Sequence, residues 1–83
     1  MQIKVERTPN PAAMKFSVGV PVGGPATYKD PADAEPYVAA ILGLEGVTSV
    51  FITADFVTVS GSVDTDWETI VPQVVAVLES AYT

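Results

Sequence analysis

The stretch VTSVFITADFVTVSG, residues 47–61, alternates apolar and polar side chains on both sides of Ala54-Asp55. A period of two marks a strand with one buried face, and two such runs around a short polar centre describe a β-hairpin. With Ala54-Asp55 as the loop, Ile52 faces Val57 and Val50 faces Val59 on one side of the sheet. Phe51 then faces Thr58, and Thr53 faces Phe56, on the other. Ala-Asp is not the Asn-Gly chemistry that two-residue turns prefer, so a longer loop about the same centre is the alternative, and it leaves the faces unchanged.

Outward from the hairpin, the period changes. In DTDWETIVPQVVAVLESAYT, residues 64–83, Trp67, Ile70, Val71, Val74, Val77, Leu78 and Ala81 recur at helical spacing. Asp64 or Thr65 can cap this helix, and Asp66 and Glu68 suit its positive N-terminal end. Pro72 falls inside the pattern, so the main helix either begins near Val71 or kinks there. Trp67 is expected to pack on the sheet face of Val50, Ile52, Val57 and Val59. Before the hairpin, Ala34, Tyr37, Val38, Ile41 and Leu42 form one face of a shorter helix, with Asp33 as the expected N-cap and Pro36 in the first turn.

The N-terminal third holds two further alternating runs, QIKVERT (2–8) and MKFSV (14–18), joined by PNPAA (9–13). Proline lacks an N–H donor and fixes φ, so Pro9 and Pro11 exclude a central strand and make a stiff connection. GVPVGGPATYKDP (19–31) has three glycines and three prolines and reads as a loop, with room for a short edge strand near Thr27 to Lys29. The expected fold is one α+β domain over residues 1–83. It is a two-layer sandwich in which a mainly antiparallel four-stranded sheet carries two helices on one face, in the order ββαββα.

Composition narrows the chemistry. Ten acidic and four basic residues give a formal net charge of −6, which argues against nucleic acid and against anionic membrane surfaces. No apolar run approaches the roughly 20 residues of a membrane span. MQIKVERT lacks the charged-then-apolar pattern of a secretory signal, so a cytoplasmic location is expected. The 83 residues contain no cysteine and no histidine. They therefore supply no disulfide, no thiolate or imidazole metal site and no imidazole base. No catalytic residue, metal ligand or cofactor site is assigned, and the domain is expected not to be an enzyme.

Individual candidates have plain structural readings. Asp64, Asp66 and Glu68 superficially resemble a calcium loop, but the glycine and distant glutamate of an EF-hand are missing, and helix capping explains them. Asp55 is a turn residue. Gly23-Gly24 is not followed by the Lys-Ser/Thr of a phosphate loop. Phe51 and Phe56 fall on the sheet face away from the valines, where, with Lys4 and Lys15 nearby, they would form a partner patch. The alternative is that loops cover them or that the register is slipped. Asn10, held between prolines, would add a fixed surface beside Lys15, Phe51 and Phe56, or would only join two strands.

Three segments together carry a resemblance: TPNPAAMKF at Thr8 to Phe16, LEGVTSVFITADFVTVS at Leu44 to Ser60, and Asp66-Trp67 followed by Pro72. In order and spacing, they resemble the N-terminal domain of the Nfu/NifU-like iron–sulfur scaffold proteins, with its T-P-N-P-x-x-x-K-F, E-G-V-x-x-V-F and D-F-[IV]-T-V segments. Full-length members hold their cluster with a C-x-x-C motif in a second domain, and these 83 residues have no such motif. The resemblance therefore implies a stand-alone, non-catalytic accessory or protein-interaction role in iron–sulfur cluster assembly, with assembly factors or apo-targets as partners. It implies no cofactor held by these residues. The alternative is a general protein- or peptide-binding module without an iron link. Asn10, Lys15, Phe51 and Phe56 are the candidate partner-binding residues.

Overall fold

The hairpin forms with the expected register. In the computed structural model, which describes residues 3–10, 12–62 and 64–82, β4 (Val47–Thr53) and β5 (Phe56–Gly61) pair antiparallel, with Val50 opposite Val59, Ile52 opposite Val57, Phe51 opposite Thr58 and Thr53 opposite Phe56. The loop is the two-residue version despite its chemistry, and Ala54 takes a φ of +50°. That left-handed geometry is costly for a residue with a Cβ. It is held by the chain that follows the second strand: Val18 N–H donates to Asp55 O and Val22 N–H to Ala54 O, both at 2.8 Å.

The two N-terminal strands that the alternation indicated both form. β1 (Lys4–Arg7) pairs with β2 (Ala13–Ser17), and β2 pairs with β5, so the hairpin is continued by the N-terminal strands. The four-stranded expectation is corrected at the other side. The Gly/Pro-rich segment contributes β3 (Ala26–Tyr28), which pairs along β4 and makes a fifth strand, giving the sheet order β1-β2-β5-β4-β3. The short edge strand that the sequence allowed near Thr27 to Lys29 thus forms one residue earlier, and the bonds from Val18 and Val22 to the hairpin tip together with the pairing of β3 tie this loop-like segment down at both ends. Pro11, expected to stiffen the β1–β2 connection, lies outside the described residues.

After β3 a single 3-10 turn (Pro31–Asp33) precedes α1 (Pro36–Leu42). Asp30, not Asp33, does the capping here: its side chain accepts the Ala32 N–H at 2.9 Å. The helix itself starts after Glu35, which makes no side-chain cap, and Pro36 occupies the first helical position, where a missing N–H has no consequence. α2 (Trp67–Tyr82) runs as one helix through Pro72 and does not restart near Val71. It begins at Asp66, whose carbonyl accepts the Ile70 N–H at 3.0 Å and whose carboxylate accepts the Thr69 hydroxyl at 2.8 Å. Neither Asp64 nor Thr65 caps it.

Both helices cover the valine face. Phe16, Val50, Ile52, Val57 and Val59 from the sheet form one buried cluster with Val38, Ile41 and Leu42 of α1 and Ile70, Val74 and Leu78 of α2. Trp67 is only partly buried and packs against this cluster from its margin, so the seam of α2 is Ile70, Val74 and Leu78. Among the described residues, no polar or charged residue is buried. At the helix-proximal end of the hairpin, Thr65 works as a latch. Its hydroxyl donates to Gly46 O at 2.9 Å and accepts the Ser62 N–H at 2.8 Å, tying the α1–β4 turn to the β5–α2 connection. Gly46 has a φ of +95°, and a Cβ on Gly61 would come 2.5 Å from both Gly46 O and Thr65 Oγ1. Both positions therefore require glycine.

Candidate functional site

The pairing register lays out the uncovered face in rows. One row across the strands reads Glu6, Lys15, Thr58, Phe51, Thr27, and the next reads Lys4, Ser17, Phe56, Thr53. The parallel rows on the helix side read Val5, Phe16, Val57, Ile52, Ala26 and Arg7, Met14, Val59, Val50, Tyr28. The period of two thus separates a set that is apolar except for Arg7, at its outer edge, from a mixed set, with one discontinuity, a bulge between Val47 and Ser49.

On the uncovered face, Lys15 and Phe56 meet. They are diagonal neighbours on β2 and β5, and Lys15 Nζ lies 4.4 Å from the centroid of the Phe56 ring. That is a cation–π contact, worth about 0.5–1 kcal/mol at an exposed position. It holds the ammonium above the sheet and covers part of the phenylalanine. Phe51 remains the one exposed large hydrophobic residue among those described, at 36%. Lys4 sits 3.8 Å from Glu6 in a surface ion pair, so the single carboxylate of this face already has a cation beside it. Among the described residues, Lys15 has no carboxylate at ion-pair distance.

Asn10 is elsewhere. Its Oδ1 accepts the Ala12 N–H at 2.9 Å, its carbonyl accepts the Thr8 hydroxyl at 2.8 Å and the Ala13 N–H at 3.0 Å, and its own N–H donates to Thr8 Oγ1 at 3.1 Å. These bonds close the β1–β2 turn on itself. Phe56 pairs with Ser17, at the far end of β2 from that turn, roughly 13 Å away at the usual rise per strand residue. Sequence reasoning placed the four residues in one patch. The structure unites Lys15 with Phe56, puts Phe51 two strands from Lys15, and sets Asn10 apart. The Lys15–Phe56 contact depends on the β2–β5 pairing between distant segments, for which no local signal exists.

Two other features were not foreseen. A shallow apolar groove of about 640 Å³ runs between α1 and α2, floored by Ala40, Ala76 and Val77 beside Tyr37. Tyr37 meets Tyr82 edge to face at 5.4 Å, and its hydroxyl is buried without a hydrogen-bond partner. Burial pushes its phenol well above the ordinary tyrosine value, with a further push from Tyr82. A polar cleft of about 460 Å³ lies at the start of α2, edged by Glu45, Asp64 and Asp66. Asp66 there is engaged with Thr69, and among the described residues no group of three or more His, Cys, Asp or Glu is placed to hold a metal ion. No described helix is long and apolar enough to cross a membrane.

Residues 3–83 match the family described as "Scaffold protein Nfu/NifU N terminal". NifU-like protein 5, mitochondrial, from Arabidopsis thaliana is 38% identical over 99% of this chain and 31% of its own length. The NFU1 iron-sulfur cluster scaffold homolog, mitochondrial, of Drosophila erecta is 41% identical over 94% of this chain and 29% of its own. The chain thus spans less than a third of these relatives. The crystal structure of protein SAV1430 from Staphylococcus aureus superposes with a TM-score of 0.80 at 37% identity, covering 93% of this chain and 98% of that one. A NifU-like protein from Saccharomyces cerevisiae gives 0.81 at 26% identity, covering 99% and 80%.

Proposed function

The chain belongs to the Nfu/NifU N-terminal domain family, and from that premise we propose that it is a non-catalytic protein-interaction domain of iron–sulfur cluster assembly. In this reading, it docks assembly factors or apo-targets through the uncovered sheet face. The observation that carries the reading is the content of that face: Phe51 exposed, and Lys15 poised over Phe56 without a carboxylate of its own. Cluster ligation is left to other chains or segments, because these 83 residues have neither cysteine nor histidine. Asn10 then contributes by shaping the β1–β2 turn.

Face docking is favoured over strand addition because both sheet edges are poor templates. β1 carries Lys4, Glu6 and Arg7, and β3 is three residues long. Charged and very short edges discourage pairing with another strand. The test is capture from native extract with the immobilised domain, comparing wild type with the double variant Lys15→Glu and Phe51→Ser. Enrichment of iron–sulfur assembly proteins by wild type, lost in the folded double variant, is expected. Capture retained at wild-type strength removes the face from the argument. Capture of unrelated proteins alone supports the general binding module instead.

A further inference from the structure

Charge is unevenly divided between the strands and the rest of the chain. Three of the four cations, Lys4, Arg7 and Lys15, lie on strands, and Glu6 is the only strand carboxylate; the other nine acidic residues lie in helices and connections. Arg7 falls in a helix-side row, so on a chain of net charge −6 the uncovered face carries Lys4 and Lys15 against Glu6; with Lys4 beside Glu6, Lys15 is the unpaired cation of that face among the described residues. The dimensions of that face are as informative as its charge. Lys15 on β2 and Phe51 on β4 flank β5 in a single row, so their backbones stand two strand spacings apart, about 10 Å, while the Lys15 ammonium leans over Phe56 of β5. Between them, β5 offers only Thr58 and, one step along, Ser60, with Phe56 closing the end near the hairpin tip. About 10 Å is also the diameter of an α-helix with its side chains.

Resting on the docking role proposed above, we infer that this face takes an acidic amphipathic helix of a partner protein, lying along β5. Its carboxylates meet the Lys15 ammonium where it lies over Phe56 at the hairpin-tip end of β5, its apolar side chains cover Phe51, and the short side chains of Thr58 and Ser60 let its backbone approach. Such a helix would complete a third layer opposite α1 and α2, and the sheet would be buried on both faces as sheets between helices are. Opposite charge at a partly covered lysine favours the correct partner and repels a basic one. The groove between α1 and α2 lacks this selectivity, since its floor is apolar and no charged residue is among those that line it.

The test uses the isotope-labelled chain and three synthetic 18-residue alanine-based peptides. One has leucines along one helical face flanked by glutamates, one has lysines in place of the glutamates, and one has the first composition interrupted by prolines. Amide shifts in titrations are the readout. The glutamate peptide is expected to move Lys15, Phe51, Phe56 and Thr58 saturably, and to bind about tenfold more tightly than the lysine peptide. Lys15→Glu should reverse that order. Equal binding of the proline-interrupted peptide, indifference to peptide charge, or shifts confined to α1 and α2 would overturn the inference. So would concentration-dependent movement of the same amides without peptide, which would mean that a second copy covers the face. The titration involves no iron–sulfur protein, so its outcome is independent of the capture experiment. Capture without peptide binding sinks the helix and keeps the assembly role, and the converse result does the opposite.

Discussion

Gly61→Ala tests the packing logic at the latch. The added Cβ would come 2.5 Å from Gly46 O and 2.5 Å from Thr65 Oγ1, closer than a carbon tolerates, and one of the two obstacles is backbone. Overpacking of this kind costs about 1–3 kcal/mol. The Thr65 hydroxyl is the softer neighbour, and moving it weakens its bonds to Gly46 O and from Ser62 N–H, each worth about 1 kcal/mol. The expected loss for Gly61→Ala is therefore about 2–4 kcal/mol, less a few tenths for the stiffer unfolded chain. Thr65→Ala alone should lose about 2 kcal/mol. Because the first change already disturbs the second residue's bonds, the double variant should fall short of the sum by about 1–2 kcal/mol. In thermal unfolding followed by circular dichroism, each kcal/mol lowers Tm by about 4–8 °C for a domain of this size. A Gly61→Ala protein as stable as wild type would refute the contact argument, and strict additivity would refute the shared latch.

Other changes report on the remaining layers. Leu78→Ala removes a fully buried side chain at the α2 seam and should cost about 3–5 kcal/mol in urea unfolding, more than Trp67→Ala, which lies at the margin of the core. The opposite ranking would show the seam misassigned. Tyr37→Phe deletes a buried hydroxyl that has no partner and should leave Tm unchanged or raise it. Because the Tyr37 phenol stays protonated in the fold beyond the pH at which an unfolded tyrosine ionises, near 10, its contribution to stability is complete below that pH and lost above it. The phenylalanine variant should flatten this alkaline decline, and an unchanged slope in urea titrations at pH 9 and 11 would contradict it. Asn10→Ala should cost about 0.5–1 kcal/mol through the lost bond from Ala12 N–H while leaving peptide titrations unaltered, and altered titrations would return the turn to the binding surface.

The local rules of the chain were strong enough to determine several features unaided. Alternation around Ala54-Asp55 fixed the hairpin register and thereby which residues leave the core, because a slip of one position would turn every valine outward. The 3.6-residue period did the same for Val38, Ile41 and Leu42 of α1 and for Ile70, Val74 and Leu78 of α2, though not for Trp67, which it set in the core and the structure holds at the margin; cysteine and histidine content bounded the chemistry. What only the tertiary structure decided involves partners far apart in sequence. The short edge strand that the sequence only allowed near Thr27 is realised as Ala26–Tyr28, because β4 offers an edge to a segment whose composition favours a loop. Ala54 holds a positive φ because Val18 and Val22 bond the carbonyls of the turn. Asp66 starts α2 because Thr65, the plausible cap by type, is taken by Gly46 nineteen residues away. Lys15 reaches Phe56 because β2 pairs with β5, while the same pairing carries Asn10 to the opposite end of the sheet. Periodicity reports which side of an element is buried. It contains nothing about which element lies next to which, and on the uncovered face that adjacency alone sets the spacing between charge and ring.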